Sequence, residues 1–305
     1  MIEVRDLTKR FGDKVAVDRM GFTAQPGRVT GFLGANGSGK TTTMRMILGL
    51  DHPTCGQALV RGRPFPTLRS PLREVGAMLD ARSVDPARTA RNHLRWLAQS
   101  NAIPLRRVDE VLGTVGLTHA AAIRTGSFSL GMAQRLGIAG ALLGDPEVLL
   151  LDEPVNGLDV EGILWLRTLL KGFATEGRTV FVSSHLMGEM EHIAQDLVIV
   201  GRGRLLAETS ASHLLSSGTT RTVHVRSSDT GRLAELLTAA GAGLTREGES
   251  LLITGLTSER VADVAARAGV RLHQLSTRQA TLEDMYLELT RDSTEYRSDS
   301  LPARA

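Results

Sequence analysis

Residues Gly34–Thr41 read GANGSGKT and match the pattern G-x-x-x-x-G-K-[ST] at every fixed position. An apolar run, Val29–Leu33, precedes them, and a run with helical spacing, Thr42–Leu50, follows them. A buried strand, a glycine-rich loop and a helix in this order form the structural context that the pattern requires. The sequence therefore predicts a loop at the end of a strand that binds the phosphate groups of a nucleotide.

The residue types in this loop suit phosphate binding. Gly34, Gly37 and Gly39 allow the backbone to curl so that successive N–H groups point at phosphate oxygens. The following helix presents its unpaired N–H groups to the same phosphates. Lys40 supplies a positive charge to the β- and γ-phosphates, and the Thr41 hydroxyl is placed to bind Mg²⁺. The predicted nucleotide contacts here are Gly34, Ala35, Asn36, Gly37, Ser38, Gly39, Lys40, Thr41 and Thr42.

A second apolar run, Val148–Leu151, ends in two acids, Asp152 and Glu153. A wholly apolar run is typical of a strand buried on both faces, and ligands bind at the carboxyl ends of such strands. Acids often begin loops, so the two acids alone do not indicate a nucleotide site. They do so only together with the phosphate loop that precedes them in the chain. Together they predict that Asp152 holds Mg²⁺ through water, and that Glu153 faces the attacking water as general base or orienting group.

His185 follows a third apolar run, Thr179–Ser183. Two interpretations of this histidine remain open. In the first, it starts a helix and has no chemical role. In the second, it lies at the end of a strand beside the phosphate loop, where an imidazole can hydrogen-bond an oxygen of the γ-phosphate.

Shifts in composition divide the chain into two predicted domains. Residues 1–208 have the pattern of an α/β domain with short buried strands, and about 82–144 within it form a predicted helical insertion. A Ser/Thr/Gly-rich stretch, 209–221, is predicted to be a linker. Residues 222–290 are predicted to form a small α+β domain, and 291–305 a disordered tail.

The spacing of apolar residues predicts further elements within these domains. In the first domain these are a strand at Leu197–Val200 and helices at Thr89–Gln99, Val108–Val115, Ala133–Leu143 and His185–Ala194. In the second domain they are strands at Thr222–Arg226, Ser250–Thr254 and Val270–Leu275, and helices at Gly231–Ala240, Ser258–Ala268 and Thr281–Leu289. The approximate order strand-helix-strand-strand-helix-strand indicates a small α+β sandwich.

The composition excludes several classes of protein. Of 305 residues, 42% are apolar and 23% are charged, as in an ordinary globular chain and unlike a disordered or collagen-like one. Aromatic residues make up 4% and the net charge is +3, so neither a base-stacking surface nor a basic stripe for nucleic acid is expected. The single cysteine, Cys55, suits a reducing cytoplasm. Because there is neither a membrane-spanning apolar run nor a secretory signal, the chain is expected to be cytoplasmic.

These motifs, in this order, make residues 1–208 resemble the nucleotide-binding subunit of an ATP-binding-cassette (ABC) transporter. Besides the phosphate loop and VLLLDEP, the resemblance rests on Ser127–Arg135, SFSLGMAQR, which corresponds to the family signature. Asn156–Asp159, NGLD, corresponds to the D-loop, and His185 to the switch histidine. The implied fold class is α/β, a P-loop NTPase cassette with a mixed sheet and a helical subdomain. The small α+β domain that follows resembles one found in many exporter subunits.

The resemblance implies a site shared between two copies of the chain. Ser129, Leu130, Gly131 and Met132 of the signature would clasp the γ-phosphate of ATP held by the other copy, near Asp159 of the D-loop. A run of helical spacing follows the signature, and a helix N-terminus there suits an anion. Leu130 and Met132 stand in place of a glycine and a glutamine of the usual signature, a variant that marks exporter subunits of the drug, antibiotic-resistance and lipid type.

Two further positions follow from the resemblance. Phe11 matches the family's aromatic residue that stacks on adenine, and an ordinary core phenylalanine is the alternative. Asp80 stands where the family has the glutamine of the Q-loop. A carboxylate at this position can bind Mg²⁺ or orient water. Unlike the neutral amide of glutamine, however, it carries a negative charge.

The implied function is that of a Mg²⁺-dependent ATPase that forms a homodimer around two ATP molecules and drives a separate membrane permease. Lys40, Glu153 and His185 would act in catalysis, and the chain would lie on the inner face of the membrane through its permease. The signature type and the second domain indicate export of a drug, antibiotic or lipid-like molecule. The alternatives are a soluble ABC ATPase that acts on nucleic acid or ribosomes, and a regulatory module that binds ATP without turnover.

Overall fold

The structure of the chain, a computed structural model, describes residues 1–217, 222–278, 281–283, 285 and 286. The described residues divide into two compact units, one up to Ala211 and the other from Ser212 onward. Each unit has its own sheet structure and its own apolar core. No helix in the described ranges is both long and apolar enough to cross a bilayer.

The first unit is built from nine strands and a set of mostly short helices. Its strands are β1 (Ile2–Phe11), β2 (Lys14–Ala24), β3 (Val29–Leu33), β4 (Cys55–Val60), β5 (Val75–Met78), β6 (Val148–Leu151), β7 (Thr179–Ser184), β8 (Asp196–Gly201) and β9 (Arg204–Ser210). Its helices are α1 (Lys40–Ile47), α2 (Pro71–Glu74), α3 (Ala90–Ser100), α4 (Arg106–Thr114), α5 (Leu130–Leu142), α6 (Val160–Thr175) and α7 (Met187–Glu191); α8 (Ala211–Ser217) follows β9.

The central sheet has six strands in the order β5-β6-β7-β3-β8-β9. Neighbouring strands are parallel except β8 and β9, which run antiparallel. The carboxyl ends of β3, β6 and β7 meet at one edge, where Leu33 pairs with Ser184 and Leu151 pairs with Val182. The phosphate loop, the two acids and His185 emerge at this edge, because each follows one of these strands.

The four apolar runs predicted as strands in the first domain are confirmed as β3, β6, β7 and β8. Their residues are almost entirely buried, as expected for parallel strands covered on both faces. Strands β1 and β2 were not predicted. Their burial varies along the strand, with polar residues on the exposed side, so neither appears in the sequence as a continuous apolar run.

A three-stranded antiparallel sheet, in the order β2-β1-β4, packs on the central sheet through one apolar cluster. In this cluster Phe22 of β2 stacks on Phe181 of β7 with 5.4 Å between ring centroids, and Phe32 of β3 lies against both rings. Met44 and Ile47 of α1 belong to the same cluster. Burial of each such side chain contributes about 1.5–3 kcal/mol. This packing fixes α1 and therefore the loop that leads into it.

Two helices at the carboxyl edge are shorter than predicted. Helix α1 spans Lys40–Ile47 and not Thr42–Leu50, because Gly49, with φ +64°, closes its C-terminal turn. Helix α7 spans Met187–Glu191 and not His185–Ala194, because the residues before it form a turn at the end of β7.

The chain between β5 and β6, every residue of which is described, holds α3, α4 and α5 and no strand. Helices α3 and α4 lie close to their predicted positions. Helix α5 spans Leu130–Leu142 and not Ala133–Leu143. It starts earlier because the Ser129 hydroxyl accepts the Met132 N–H at 3.2 Å and caps its N-terminus.

The predicted linker 209–221 has regular structure over its described part, and the boundary between the two compact units, after Ala211, falls within it. Thr209 and Ser210 end β9, and 211–217 form helix α8. Strand pairing overrides the Ser/Thr content here, since both residues pair with β8. The rest of the predicted linker, 218–221, and the predicted tail, 291–305, lie outside the described residues. Of the predicted helix Thr281–Leu289, the structure describes only 281–283, 285 and 286.

The second unit contains a four-stranded antiparallel sheet, in the order β11-β12-β10-β13, and two helices packed on it. Its elements are β10 (Thr222–Ser227), α9 (Thr230–Ala239), β11 (Gly243–Glu247), β12 (Ser250–Thr254), α10 (Ser258–Arg267) and β13 (Leu272–Arg278). Their order is the predicted strand-helix-strand-strand-helix-strand. Val225, Ile253, Leu233 and Val261 are buried together in one core. Strand β11, GLTRE, was missed because it holds a single large apolar residue.

Candidate functional site

A cavity of about 650 Å³ lies around the loop between β3 and α1. Its walls come from this loop, from the start of β2, from the turn between β8 and β9, and from the acid after β6. A cavity of this size is within the range of small-molecule sites. The lining residues are Phe11, Lys14, Val15, Ala16, Asn36, Gly37, Gly39, Lys40, Thr41, Thr42, Glu153 and Arg202.

Three residues of the predicted phosphate loop, Gly34, Ala35 and Ser38, do not line the cavity. Two of them stabilise the loop itself, since the Ser38 N–H donates to the Ala35 carbonyl at 3.1 Å. A Cβ atom at Gly34 would lie 2.7 Å from the Val200 carbonyl oxygen, so a side chain has no room there. The Ser38 carbonyl accepts the Gly203 N–H at 3.0 Å. The loop is thus tied to the turn between β8 and β9.

The end of the loop requires a residue without a side chain. Gly39 has φ +99° and immediately precedes α1. A Cβ atom at this position would also lie 2.7 Å from the Ala16 carbonyl oxygen. Strain and lack of space therefore both exclude other residues. The first N–H groups of α1, which have no partners within the helix, come directly after this turn, as a phosphate site needs.

The Lys40 side chain lies within the loop. It is 6% exposed, and Nζ donates to the Gly34 carbonyl at 2.6 Å and to the Ala35 carbonyl at 3.3 Å. Nζ also lies 3.3 Å from Oε1 of Glu153. A buried ammonium group is favourable only when it is hydrogen-bonded and paired with an anion. The loop carbonyls and Glu153 supply these partners at the cavity wall.

Thr41 and Asp152, the two predicted Mg²⁺ ligands, are in direct contact. The Thr41 hydroxyl donates to Oδ2 of Asp152 at 2.7 Å, and the Ser183 hydroxyl donates to Oδ1. A hydroxyl and a carboxylate are oxygen donors of the kind that Mg²⁺ binds together with phosphate oxygens and water. Within the described ranges no group of three or more His, Cys, Asp or Glu side chains offers another metal site. The donor set thus fits Mg²⁺ that arrives with a nucleotide.

Glu153 lies between Lys40 and His185. Its Oε2 accepts a hydrogen bond from Nδ1 of His185 at 2.8 Å, while Oε1 faces Lys40. Glu153 has φ +48°, a left-handed conformation that costs of order 1–3 kcal/mol and is concentrated at functional sites. Of the two interpretations of His185, this contact favours the chemical one, since α7 begins only at Met187.

Phe11 is 52% exposed and lines the cavity, so the alternative of an ordinary core residue is wrong. Lys9 Nζ lies 5.0 Å from the centroid of its ring. An exposed ring at the cavity wall has the position that adenine stacking requires. The stacking itself stays a prediction.

The signature residues and Asp159 lie outside this cavity. Ser129 caps α5, and Asp159 caps α6 by accepting a helix N–H at 2.8 Å. The Leu130 side chain packs against Gly157, where an added Cβ atom would overlap it. The signature and the D-loop therefore touch within one chain, but neither belongs to the phosphate cavity of that chain. The predicted contact of Ser129 with a γ-phosphate requires a second copy.

Both carboxylate oxygens of Asp80 accept hydrogen bonds from residues of its own turn. Its Oδ1 accepts the Arg82 N–H at 2.8 Å, and its Oδ2 accepts the Ser83 hydroxyl at 3.0 Å. The turn follows β5 at the same sheet edge as the site, since the Asp152 N–H donates to the Met78 carbonyl at 2.8 Å. The carboxylate thus stabilises a turn, a role for which a glutamine side chain is one methylene too long.

Replacing Asp80 by Asn should leave ATP hydrolysis and stability nearly unchanged, because an asparagine oxygen can accept the same Arg82 N–H. Replacing it by Gln should lower the free energy of unfolding by about 0.5–1.5 kcal/mol, the value of one hydrogen bond. Denaturant unfolding and ATPase assays at saturating MgATP measure both effects. If the Asn variant is folded but lowers turnover, the negative charge and not the turn is what matters at this position.

The sequence did not predict several residues of the site. Lys14 and Arg202 add two cationic side chains to the cavity wall, and Ser183 holds Asp152. Arg202 lies in a tight turn with φ +47°, where no local pattern marks it. Ser183 does carry a usable signal, because it is a hydroxyl residue directly after the apolar residues Val180–Val182, and a hydroxyl that such a strand buries needs a hydrogen-bond partner.

Known proteins resemble both units of the chain. Residues 17–156 match the family model described as ABC transporter, and residues 221–283 match a domain of unknown function, DUF8746. The bacitracin transport ATP-binding protein BcrA of Bacillus licheniformis is 43% identical over 217 residues, which cover 70% of this chain and 71% of BcrA. The Nod factor export ATP-binding protein I of Burkholderia lata is 35% identical over 299 residues, which cover 95% of this chain and 96% of that protein.

A solved structure described as the ATP-binding subunit of an ABC transporter shares the fold. It matches with a TM-score of 0.65 and 25% identity, covering 71% of this chain and 92% of that chain. The fold predicted for the first domain is confirmed by this likeness.

Proposed function

Since the chain belongs to the ABC transporter family as an ATP-binding subunit, we propose that two copies close around two MgATP molecules and use their hydrolysis to drive export through a separate permease. The observation that best supports this proposal is the meeting of Lys40, Glu153 and His185 at one edge of the sheet. An ammonium group, a carboxylate and an imidazole are the groups that phosphoryl transfer to water needs.

Each residue of this site has a role that its position supports. Lys40 and the first N–H groups of α1 bind the β- and γ-phosphates. Thr41 and Asp152 hold Mg²⁺, which when bound offsets the negative charge of the phosphate oxygens. The γ-phosphate replaces Glu153 as the partner of Lys40, and the carboxylate is then available to accept a proton from water or to orient it. His185 holds Glu153 and hydrogen-bonds the γ-phosphate.

The second copy completes the site because the signature residues do not line the cavity of their own chain. Ser129 caps a helix of thirteen residues, and a helix N-terminus attracts an anion. Apolar side chains near the signature, the D-loop and His185 are exposed: Leu130 by 38%, Leu186 by 41%, Leu164 by 51% and Val160 by 76%. Exposed apolar side chains can contribute to contact with another protein chain, and the contact that we propose between the signature and a γ-phosphate makes a second copy the fitting partner.

Replacing Ser129 by Ala in a Glu153→Gln background should weaken the ATP-dependent dimer by about 10- to 100-fold, because one hydrogen bond to a charged phosphate is lost. ATP binding to the monomer should not change. Thr89→Ala is the matched control, since Thr89 caps α3 by accepting the Asn92 N–H at 3.3 Å and lies outside the cavity. Analytical ultracentrifugation with and without ATP measures the dimer. Equal dimerisation of both variants would rule out a phosphate contact at Ser129.

We assign the membrane-spanning part of the transporter, and the recognition of the transported molecule, to another chain. BcrA is named for bacitracin transport and its Burkholderia relative for Nod factor export. The second name supports export as the direction of transport. The signature type favours a drug, antibiotic or lipid-like molecule, and we place this chain on the cytoplasmic side of the membrane. Neither name favours the alternative of a soluble ATPase that acts on nucleic acid or ribosomes.

Co-expression of the full chain with a polytopic membrane protein encoded next to its gene, identified by its predicted spanning helices, tests the proposal. We expect the two chains to co-purify in detergent, and ATP hydrolysis in proteoliposomes to depend on Lys40. A chain that hydrolyses ATP but never associates with a membrane protein would contradict the transport role. Nucleic-acid binding that weakens steeply with salt would support the alternative instead.

A further inference from the structure

Gln134 lies in α5 next to the site but is not among the predicted site residues. Its side chain is 6% exposed, and Nε2 donates to the backbone carbonyl of Glu153 at 3.2 Å. The amide therefore connects the helix that Ser129 caps with the residue that handles the attacking water.

The chemistry of the contact fixes the orientation of this amide. The Glu153 carbonyl oxygen can only accept, so Gln134 has to present its NH₂ group. Its Oε1 is buried and finds no hydrogen-bond partner among the described residues. A buried acceptor without a partner lowers stability, so an apolar side chain would satisfy packing better. What an apolar side chain could not supply is the hydrogen bond to Glu153.

Glu153 needs this support because its backbone is strained, with φ +48°. Its N–H donates to the Ser183 hydroxyl at 2.9 Å, and its carbonyl also accepts the Asn156 N–H at 3.2 Å. Of these three partners, Gln134 is the one that comes from the helical insertion. The backbone sets the direction of the Cα–Cβ bond, and so the reach of the carboxylate.

Helix α5, which carries Gln134, is packed closely against the central sheet. It lies so close to β5 that a Cβ atom at Gly76 would overlap the Ala141 carbonyl. Ser129 caps the same helix at its start, five positions before Gln134. One helix therefore carries both Ser129 and a hydrogen-bond donor to the backbone of Glu153.

We propose that Gln134 is a positioning residue for ATP hydrolysis, whose amide holds Glu153 in the conformation from which its carboxylate reaches the attacking water. The inference rests on the proposed function, since Glu153 has to handle that water. Gln134 does not line the cavity, so its loss affects turnover and not nucleotide affinity.

The test compares Gln134→Met with the parent chain at full length. Methionine has a similar length and volume but cannot donate a hydrogen bond. We expect kcat to fall by about 3- to 10-fold, which corresponds to one hydrogen bond. KM, and the Kd for ATP and for ADP, should not change. Gln99→Met is the control, at an exposed position of α3, and should leave all these values as in the parent.

A Glu153→Gln background separates positioning from general weakening. If Gln134 acts through Glu153, adding Gln134→Met should lower the residual hydrolysis no further. Three results would overturn the inference: a fully additive loss, an unchanged kcat in a folded Gln134→Met chain, or a loss of ATP affinity as large as the loss of kcat. If the Met variant does not unfold cooperatively, Gln134→Ala serves in its place.

The ATPase activity of the parent chain distinguishes a failure of the proposed function from a failure of the role assigned to Gln134. A parent without ATPase activity contradicts the proposed function itself. An active parent whose turnover does not depend on the Gln134 amide contradicts only the role assigned to Gln134.

Discussion

Replacing Lys40 by Ala should strongly weaken ATP binding and abolish hydrolysis. The ammonium group is the buried cation of the phosphate loop, 6% exposed, and each hydrogen bond it makes to a charged oxygen is worth about 1.5–3 kcal/mol. Its loss also removes the positive charge beside Oε1 of Glu153, so that this carboxylate repels the incoming phosphates more strongly. We therefore expect ATP affinity to fall at least ~100-fold. Isothermal titration with ATP and a phosphate-release assay measure the two effects.

Lys171→Ala provides the control for this variant. Lys171 is an exposed lysine of α6, outside the cavity, so its replacement should leave binding and turnover unchanged. Thermal unfolding of both variants shows whether the fold is intact. Normal turnover in a folded Lys40→Ala chain would mean that the loop between β3 and α1 does not bind the phosphates.

Replacing Glu153 by Gln should leave ATP bound but slow its hydrolysis by about 10²-fold or more, because an amide cannot accept the proton of the attacking water. The structure adds a second expectation. Glu153 is paired with Lys40 at 3.3 Å, so removing its charge removes a competitor for the ammonium group. ATP affinity should therefore be equal to or higher than that of the parent. Single-turnover hydrolysis and equilibrium binding of ATP separate the two effects.

The slow variant should also accumulate as a dimer loaded with ATP, visible by size-exclusion chromatography with light scattering. Glu235→Gln is the control, since Glu235 is exposed in α9 of the second unit. A Glu153→Gln chain that remains monomeric with ATP, or that hydrolyses it at the parent rate, contradicts the closure of two copies around the nucleotide.

The phosphate loop and the acids after β6 could be predicted because their chemistry depends on a contiguous stretch of chain. A loop that curls around a phosphate needs glycines, a lysine and a hydroxyl at fixed spacing, and a strand that carries acids to the sheet edge needs an unbroken apolar run. Strands β3 and β6 have the predicted bounds for the same reason.

The turn at Asp80 and the strand structure of Thr209 and Ser210 could not be predicted, because local composition competes there with hydrogen bonds to the backbone of the same turn or to a strand that is distant in sequence. The Asp80 carboxylate serves a turn of its own, through Arg82 and Ser83. Thr209 and Ser210 belong to β9, because pairing with β8 outweighs their preference for loops. Neither the hydrogen bonds of Asp80 nor the pairing of β9 with β8 can be inferred from local composition.

The sequence alone determined which phosphate-binding loop this chain carries, which acids accompany it, and that two domains follow one another, since each depends on the order of neighbouring residues. Only the tertiary structure decided that Glu153 bridges Lys40 and His185 in a left-handed conformation, that Ser183 and Gln134 hold it there, and that Lys14 and Arg202 reach the cavity. These contacts join residues far apart in the chain, and parallel strand pairing and helix packing bring them together at distances that no local spacing encodes.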